Sequence, residues 1–221
     1  MHTELIFTED GSHTLFVPEL NEHFHSIHGA IQESLHVFIE AGLKSISNSK
    51  IKILEIGFGT GLNALLTLHY GSNNNLNIEY HSVEFYPISL NKIEQLNYTD
   101  FFPLRYIELF RLMHICAWNS LVEIEENFSL KKINASFIDF TANDKYDLIY
   151  FDAFGPDKQP EMWSEKLMQK LFDCLNESGI LTTYSAKGQV KRNLKNAGFE
   201  IELIPGPPGK REMIRAIKPK N

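Results

Sequence analysis

The feature that most constrains the fold is an alternation of short apolar strands with helical segments. Two of the predicted strands, "IKILEI" at 51–56 and "YDLIYFD" at 146–152, are almost continuously apolar. Such strands are buried on both faces, as happens when helices cover both sides of a parallel sheet. Helical patterns follow them at 62–70 and 164–175. The alternation predicts an α/β protein with a Rossmann-like, doubly wound sheet.

The first part of the chain has a different pattern. Residues 1–20 are predicted to form a hairpin that turns at "EDGS", and residues 29–47 a helix with apolar residues at helical spacing. We therefore predict an extension of hairpin and helix over 1–47, packed on a main domain over 48–221 as one structural unit. The other predicted strands are 78–85, 133–139, 180–185, 199–204 and 211–217, and the other predicted helices are 88–96, 104–115 and 188–197.

Composition predicts a single soluble unit. The 221 residues are 43% hydrophobic, which suits one domain with a full core. No apolar run approaches the roughly 20 residues that cross a bilayer, and the first residues do not read as a leader. We therefore expect a cytoplasmic protein without membrane contact.

The charge is unevenly distributed along the chain. Residues 180–221 carry nine Lys and Arg against three acids, so their net charge is +6 and that of the remaining residues is −13. A basic end of this kind is typical of a contact with a polyanion, and equally of a solvated surface.

A glycine-rich turn follows the strand at 51–56, in "ILEIGFGTGLN". Gly57, Gly59 and Gly61 separate this strand from the next helix. Glycine is needed where a strand turns tightly into a helix and a ligand approaches the main chain. The spacing is one residue shorter than that of pyrophosphate-binding sites, and Glu55 precedes it, where a diphosphate would be repelled. The turn therefore predicts a ligand that carries an ammonium group.

Acidic residues also end the next two predicted strands. Glu84 lies where an acid can accept hydrogen bonds from both hydroxyls of a ribose. Asp139 is predicted to accept a hydrogen bond from an adenine amino group. Each acid alone equally fits a loop or a cap. Together, at the carboxyl ends of successive strands, they predict a nucleoside with an amino-acid tail, and S-adenosyl-L-methionine is the natural candidate.

Asp152 follows the next strand, in "YFDAFGPDKQPEMW". An amine is mostly protonated at neutral pH, and a carboxylate beside it can orient the neutral form and accept its proton. Asp152 is therefore the predicted catalytic carboxylate for methyl transfer to an amine, with a turn-initiating Asp as the structural alternative. Pro156 and Pro160 restrict the loop around it.

Other side chains are candidates for substrate contacts. Phe154, Pro156 and Trp163 belong to the loop after Asp152, and the two aromatic residues could stack on a base, although Trp163 equally fits an anchor for the next helix. The candidates for phosphate contacts are Lys187, Lys210 and Arg211.

Three histidines in "NEHFHSIHGA" have a spacing that matches no metal motif. We predict no metal site, and a structural or pocket-lining role for these histidines.

Several stretches of the chain together resemble a known family. They are "HFHSIHGAIQESLHVFIEAGL", "LEIGFGTGLN", "YFDAFGPDKQPEMW", "AGFE" and "GPPGKREMIRA", and they extend over about residues 8–217. The pattern is similar to that of the methyltransferases of tRNA 5-methylaminomethyl-2-thiouridine biosynthesis, the MnmC-like family. Its most specific parts are D-x-F-x-P-x-K-x-P-x-M-W and K-R-E-M.

The resemblance implies an S-adenosyl-L-methionine-dependent methyltransferase domain over 48–221. It implies N-methylation of the aminomethyl group of 5-aminomethyl-(2-thio)uridine at the wobble position of tRNA, with Asp152 as the catalytic carboxylate. The residues with implied cofactor roles are Glu55, Gly57, Gly59, Gly61, Glu84 and Asp139.

One departure from the family bears on the activity. Bifunctional relatives carry an FAD-dependent oxidase half, an oxidoreductase acting on CH–NH groups, which has no counterpart in these 221 residues. The resemblance therefore implies only the final methylation. The residues leave three alternatives open: a polyamine synthase, whose usual second Asp is replaced here by Gly155; a methyltransferase for another amine; and a tRNA-binding module without catalysis.

Overall fold

Two sheets organise the fold, in a computed structural model that describes residues 2–142 and 144–220. A small antiparallel sheet contains β1 (Glu4–Phe7), β2 (His13–Val17) and β3 (Glu22–His23). The strands of the central sheet are β4 (Lys50–Ile56), β5 (Asn77–Glu84), β6 (Leu121–Glu125), β7 (Phe128–Asn134), β8 (Tyr146–Phe151), β9 (Leu175–Thr183), β10 (Glu200–Pro205) and β11 (Glu212–Ile217).

The central sheet has the order β10-β11-β9-β8-β4-β5-β7-β6. Strands β4, β5, β7, β8 and β9 pair in parallel, while β11 is antiparallel to both of its neighbours and β6 is antiparallel to β7. The chain leaves β4 toward β5 on one side and later returns to β8 on the other. This reversal of direction opens a crevice at the carboxyl ends of β4 and β8, which is where open α/β sheets bind ligands.

Helices cover both faces of the sheet. The α-helices are α1 (Ala30–Ser34), α2 (Leu62–Asn73), α3 (Leu90–Ile93), α4 (Arg105–Ile115), α5 (Glu165–Cys174) and α6 (Gly188–Asn196). Ile53 of β4 packs in one core with side chains of α2 and α4, whereas Leu54 packs in a second core with α5 and α6. Each fully buried side chain of this kind contributes about 1.5–3 kcal/mol. The predicted doubly wound α/β fold is confirmed.

The first helical segment differs from a regular helix. After α1 the chain widens into a π-helical stretch at Leu35–Glu40 and ends in a 3-10 turn at Leu43–Ser45. The wider turn lets three consecutive apolar residues, 37–39, pack into the core. The predicted helix at 29–47 is therefore helical over most of its length, with three different geometries.

Two predicted elements are wrong. The helix expected at 88–96 is shorter and is α3, Leu90–Ile93. His13 N donates to Asn97 Oδ1 at 2.8 Å, and Asn97 Nδ2 donates to Gly11 O at 2.9 Å. These bonds tie the chain after α3 to the β1–β2 turn, so the helix does not continue. The strand expected at 133–139 lies earlier in the chain, as β7 at Phe128–Asn134. The hairpin with β6 moves that strand toward the N-terminus and leaves Asp139 in a turn.

Candidate active site

A cavity of about 1320 Å³ lies at the carboxyl edge of the central sheet. Small-molecule sites usually occupy roughly 300–1,000 Å³, so this one has room for a cofactor together with a nucleoside. We call the glycine turn 57–61 with Glu84 and Asp152 the cavity floor. We call residues 17–33 with the loop 205–212 the cavity wall.

The glycine turn adopts the backbone conformation that its sequence predicted. Gly57, Gly59 and Gly61 have φ angles of 96°, 49° and 77°. A Cβ at Gly57 would lie 3.1 Å from the carbonyl oxygen of Asp152, so the two strand ends approach each other closely at this point. Gly57 and Gly59 line the cavity, while Gly61 caps α2 behind them. The open main chain beside the cavity fits a ligand with an extended polar tail.

Glu84 holds the glycine turn to the neighbouring strand. Its Oε2 accepts a hydrogen bond from Gly59 N at 3.0 Å and its Oε1 accepts one from Tyr86 N at 2.7 Å. The side chain is half-buried and lines the cavity. A carboxylate oxygen has two lone pairs, so both oxygens keep capacity for ribose hydroxyls.

Two of the predicted cofactor acids do not face the cavity. Glu55 is completely buried behind the turn, where Ser82 Oγ donates to its Oε2 at 2.6 Å, and burial raises its pKa to about 8. Asp139 is exposed and lies outside the cavity lining. Ser136 and Phe137, three and two residues earlier, line the cavity in its place, because β7 ends before the predicted position.

Asp152 follows β8 and its carboxyl lines the cavity. Asn63 Nδ2, from the first turn of α2, donates to Asp152 Oδ2 at 2.8 Å. Burial raises the pKa of Asp152 to about 7; the Asn63 hydrogen bond lowers it, the charge of Glu33 raises it and that of Lys210 lowers it. A carboxyl with a pKa near the working pH is suited to accept a proton.

The loop after Asp152 divides into a part that lines the cavity and a part that supports it. Phe154 and Pro156 line the cavity. Trp163 is buried, donates from Nε1 to the carbonyl oxygen of Phe154 at 2.8 Å, and packs edge-on against Phe151 with ring centroids 4.8 Å apart. Trp163 therefore braces the loop from behind and is not among the residues that line the cavity.

The three basic candidates all line the cavity, in different environments. Lys187 forms an ion pair with Asp157 at the surface, and Arg211 is 94% exposed. Lys210 instead forms an ion pair with the buried Glu33, and its Nζ lies 4.8 Å from the centroid of the Tyr184 ring. Lys210 thus joins the two parts of the cavity wall.

Much of the cavity wall comes from residues that the sequence did not single out as functional. Glu33 lies on a helical segment that carries other polar residues, among them Gln32 and Glu40, so the sequence held no signal that set it apart. Phe24 packs against Phe154 with ring centroids 5.2 Å apart. His25 Nε2 lies 2.8 Å from Thr60 Oγ1, in the glycine turn. The His25 contact attaches the N-terminal extension to the cavity floor, and the Phe24 contact attaches it to the loop after Asp152.

Within residues 2–142 and 144–220, no group of three or more His, Cys, Asp or Glu is arranged to hold a metal ion. His23 and His25 line the cavity, as one of the sequence interpretations predicted. No helix in the part of the chain that the structure describes is long and apolar enough to cross a membrane.

Comparison with a family model and with curated proteins finds a methyltransferase family and proteins named MnmC. A family model described as S-adenosyl-L-methionine-dependent methyltransferase matches residues 115–219. The tRNA 5-methylaminomethyl-2-thiouridine biosynthesis bifunctional protein MnmC of Burkholderia thailandensis is 30% identical over 95% of this chain and 34% of its own length. The protein of that name from Pseudoalteromonas atlantica is 30% identical over 88% of this chain and 30% of its own length. The chain thus spans about a third of the curated relatives it matches.

Solved structures also resemble this chain. The crystal structure of MnmC2 from Aquifex aeolicus matches 100% of this chain and 73% of that chain, with a TM-score of 0.80 and 27% identity. Spermidine synthase from Thermotoga maritima matches 100% of this chain and 72% of that chain, with a TM-score of 0.55 and 13% identity, which shows a shared fold alone.

The fold and the family match define an S-adenosyl-L-methionine-dependent methyltransferase. Among these enzymes the chain is similar to the MnmC proteins over 88% to 95% of its length, and the resemblance seen in its sequence is confirmed.

Proposed function

We propose that this chain transfers a methyl group from S-adenosyl-L-methionine to the amine of 5-aminomethyl-(2-thio)uridine at the wobble position of tRNA, giving 5-methylaminomethyl-(2-thio)uridine. The observation that carries the proposal is the carboxyl of Asp152, which faces the same cavity as the glycine turn and Glu84. The names of the curated relatives support tRNA as the substrate. Since tRNA is the proposed substrate, we also propose a cytoplasmic location.

The cavity floor is the proposed cofactor site. Gly57 and Gly59 offer open main chain to the amino-acid part, and Gly61 shapes the turn at the start of α2. Glu84 accepts hydrogen bonds from the ribose hydroxyls. Ser136 and Phe137 take the position beside adenine that the sequence had assigned to Asp139, because they line the cavity.

Asp152 is the proposed catalytic residue. When bound, S-adenosyl-L-methionine supplies an electrophilic methyl group. The amine attacks only in its neutral form, so Asp152 as a carboxylate accepts a proton from the substrate nitrogen and keeps the lone pair aligned. A pKa of about 7 leaves the ionised form well populated at neutral pH while the group is still basic enough to accept a proton.

The proposed substrate contacts lie around the mouth of the cavity. Phe154 stacks on the uracil ring and Pro156 keeps the loop in place. Lys187 and Arg211 contact phosphates, as their exposure allows. Lys210 remains within the cavity wall and acts through Glu33 and Asp152 rather than on the RNA backbone.

Methylation of tRNA is the direct test. The protein is incubated with labelled S-adenosyl-L-methionine and tRNA from a strain that lacks this methylation, and the digested nucleosides are separated. We expect the label in 5-methylaminomethyl-(2-thio)uridine alone. Fully modified tRNA is the matched control and should accept no label. Label in another nucleoside would keep tRNA as the substrate but reject the wobble aminomethyl group as the acceptor. Transfer only to polyamines or other free amines would replace tRNA with one of the alternative substrates, and binding without any transfer would indicate a non-catalytic module.

A further inference from the structure

The chain that carries Asp152 into the cavity leaves the central sheet just before this residue. Strand β8 ends at Phe151, and Asp152 N still donates to Ile56 O at 3.2 Å. Within residues 2–142 and 144–220, the next two carbonyl oxygens, of Ala153 and Phe154, accept no hydrogen bond from a backbone amide. Carbonyl groups in the interior of a protein are normally paired, so side chains must hold these two.

Two aromatic side chains donate to these carbonyl oxygens. Tyr184 OH donates to Ala153 O at 2.9 Å. Trp163 Nε1 donates to Phe154 O at 2.8 Å. The two donor rings also pack edge-on against each other, with centroids 6.1 Å apart. The two peptide groups that directly follow Asp152 are therefore held by side-chain hydrogen bonds.

Tyr184 reaches this place through its position in the central sheet. It follows β9 directly, as Asp152 follows β8, and the two strands are parallel neighbours in which Tyr150 pairs with Thr182. The Tyr184 side chain lines the cavity, and Lys210 Nζ lies 4.8 Å from the centroid of its ring. The sheet and the packing of the ring thus fix where the hydroxyl lies.

We propose that Tyr184 is a positioning residue for the methyl transfer: its hydroxyl holds the carbonyl group of Ala153 and thereby fixes the direction of the Asp152 carboxyl. Asn63 Nδ2 holds that carboxyl at Oδ2, and Tyr184 holds the main chain behind it. A proton acceptor must lie within hydrogen-bonding distance of the substrate nitrogen, and a misplacement of about 1 Å lowers a rate by roughly 10²-fold. The inference rests on the proposed role of Asp152, whichever amine is methylated.

The test is Tyr184→Phe, which removes the hydroxyl and keeps the ring beside Lys210 and Trp163. We expect kcat to fall about 10-fold to 100-fold with tRNA that lacks the methylation. The Kd of S-adenosyl-L-methionine, measured by calorimetry, should stay within about 3-fold of wild type, because the cavity floor keeps its glycine turn and Glu84.

The matched control is Tyr146→Phe, at the other end of β8. The hydroxyl of Tyr146 lies 2.9 Å from His81 Nδ1, and this side chain does not line the cavity. The control therefore loses a hydrogen-bonded hydroxyl from the same sheet without touching the loop after Asp152. We expect its kcat to stay within about 3-fold of wild type. An equal fall in kcat for both variants would mean that the loss is one of stability, and would refute the inference.

A double variant separates positioning from other effects on turnover. If Tyr184 acts only through Asp152, its hydroxyl has nothing left to position once Asp152 is replaced. The kcat of Asp152→Asn/Tyr184→Phe should then lie within about 3-fold of that of Asp152→Asn. A general loss of structure, or a direct contact of Tyr184 with the tRNA, would instead multiply the two losses and overturn the inference.

A second readout does not depend on turnover. Hydrogen exchange of the backbone amides of Ala153, Phe154 and Gly155 is followed by NMR in the protein without cofactor or tRNA. Because the peptide after Asp152 loses its hydrogen bond, we expect exchange about 10-fold faster in Tyr184→Phe and unchanged in Tyr146→Phe. Exchange at the wild-type rate in Tyr184→Phe would show that the hydroxyl does not hold this loop.

The outcomes also distinguish this inference from the proposed function. Wild-type kcat in Tyr184→Phe, together with lost turnover in Asp152→Asn, would reject the inference and leave the proposed function intact. Faster exchange in Tyr184→Phe, with no methylation of tRNA by the wild-type protein, would support the hold on the loop and reject only the proposed substrate.

Discussion

The cavity floor and the cavity wall face each other across the same space, but they are built in different ways. The floor follows the ends of adjacent parallel strands, and Gly57, Glu84 and Asp152 are held by backbone hydrogen bonds or close main-chain packing. The wall is held by side chains, above all the ion pair between Glu33 and Lys210, which are 177 positions apart. The floor is therefore fixed by formation of the sheet, whereas the wall forms only when both chain ends reach the sheet edge.

The largest expected effect is at the floor. Asp152→Asn keeps the shape of the side chain and can still accept from Asn63, but it cannot accept a proton. We expect kcat to fall by about 10²-fold to 10⁴-fold, the usual contribution of a general base, with the Kd of S-adenosyl-L-methionine unchanged. Single-turnover methylation and calorimetry measure the two quantities. Turnover within 3-fold of wild type would return Asp152 to the role of a turn-initiating residue.

The second expected effect is a pH dependence of stability that belongs to the floor. The pKa values of Glu55 and Asp152 are raised to about 8 and about 7, above their ordinary values, so the folded protein binds more protons than the unfolded chain between about pH 4 and pH 8. Their contribution to stability is present at acid pH and is lost as the pH rises through these values. The slope is at most about 1.4 kcal/mol per pH unit for each group.

Urea unfolding at pH 5, 6, 7 and 8 measures this slope. In Glu55→Gln the side chain does not titrate, so we expect the free energy of unfolding to fall less steeply with pH than in wild type. Equal slopes for the two proteins would mean that Glu55 ionises normally inside the fold.

The smallest expected effect is at the wall. Lys210→Met leaves the buried Glu33 without its cation, and Lys210 is itself partly exposed, so we expect a loss of about 1 kcal/mol in the free energy of unfolding. The charge of Lys210 lowers the pKa of Asp152, so the acid limb of the pH profile of kcat/KM should move to higher pH.

The double variant Glu33→Gln/Lys210→Met is the matched control for this pair. It removes both charges, and we expect it to recover part of the lost stability. If Lys210→Met alone is as stable as wild type and its pH profile does not move, then the Glu33–Lys210 ion pair affects neither the free energy of unfolding nor the pKa of Asp152.

The sequence predicted the floor far better than the wall, and particular residues show why. Gly57, Gly59 and Glu84 could be read from a strand followed by a turn, because their conformation depends on near neighbours in the chain. Phe24 and Glu33 could not, since their place depends on contacts with Phe154 and Lys210. Asp139 was placed at a strand end because the hairpin of β6 and β7 left no clear signal in the apolar pattern.

By itself the sequence determined the α/β class, the glycine turn and the carboxylate after β8, because apolar periodicity and glycine backbone freedom act over a few residues. Only the tertiary structure decided that Glu55 lies behind the turn rather than in the cavity, that Trp163 braces the loop, and that the two chain ends meet beside Asp152. Burial and hydrogen-bond partners depend on which distant segments pack together, and that information is carried by the whole fold.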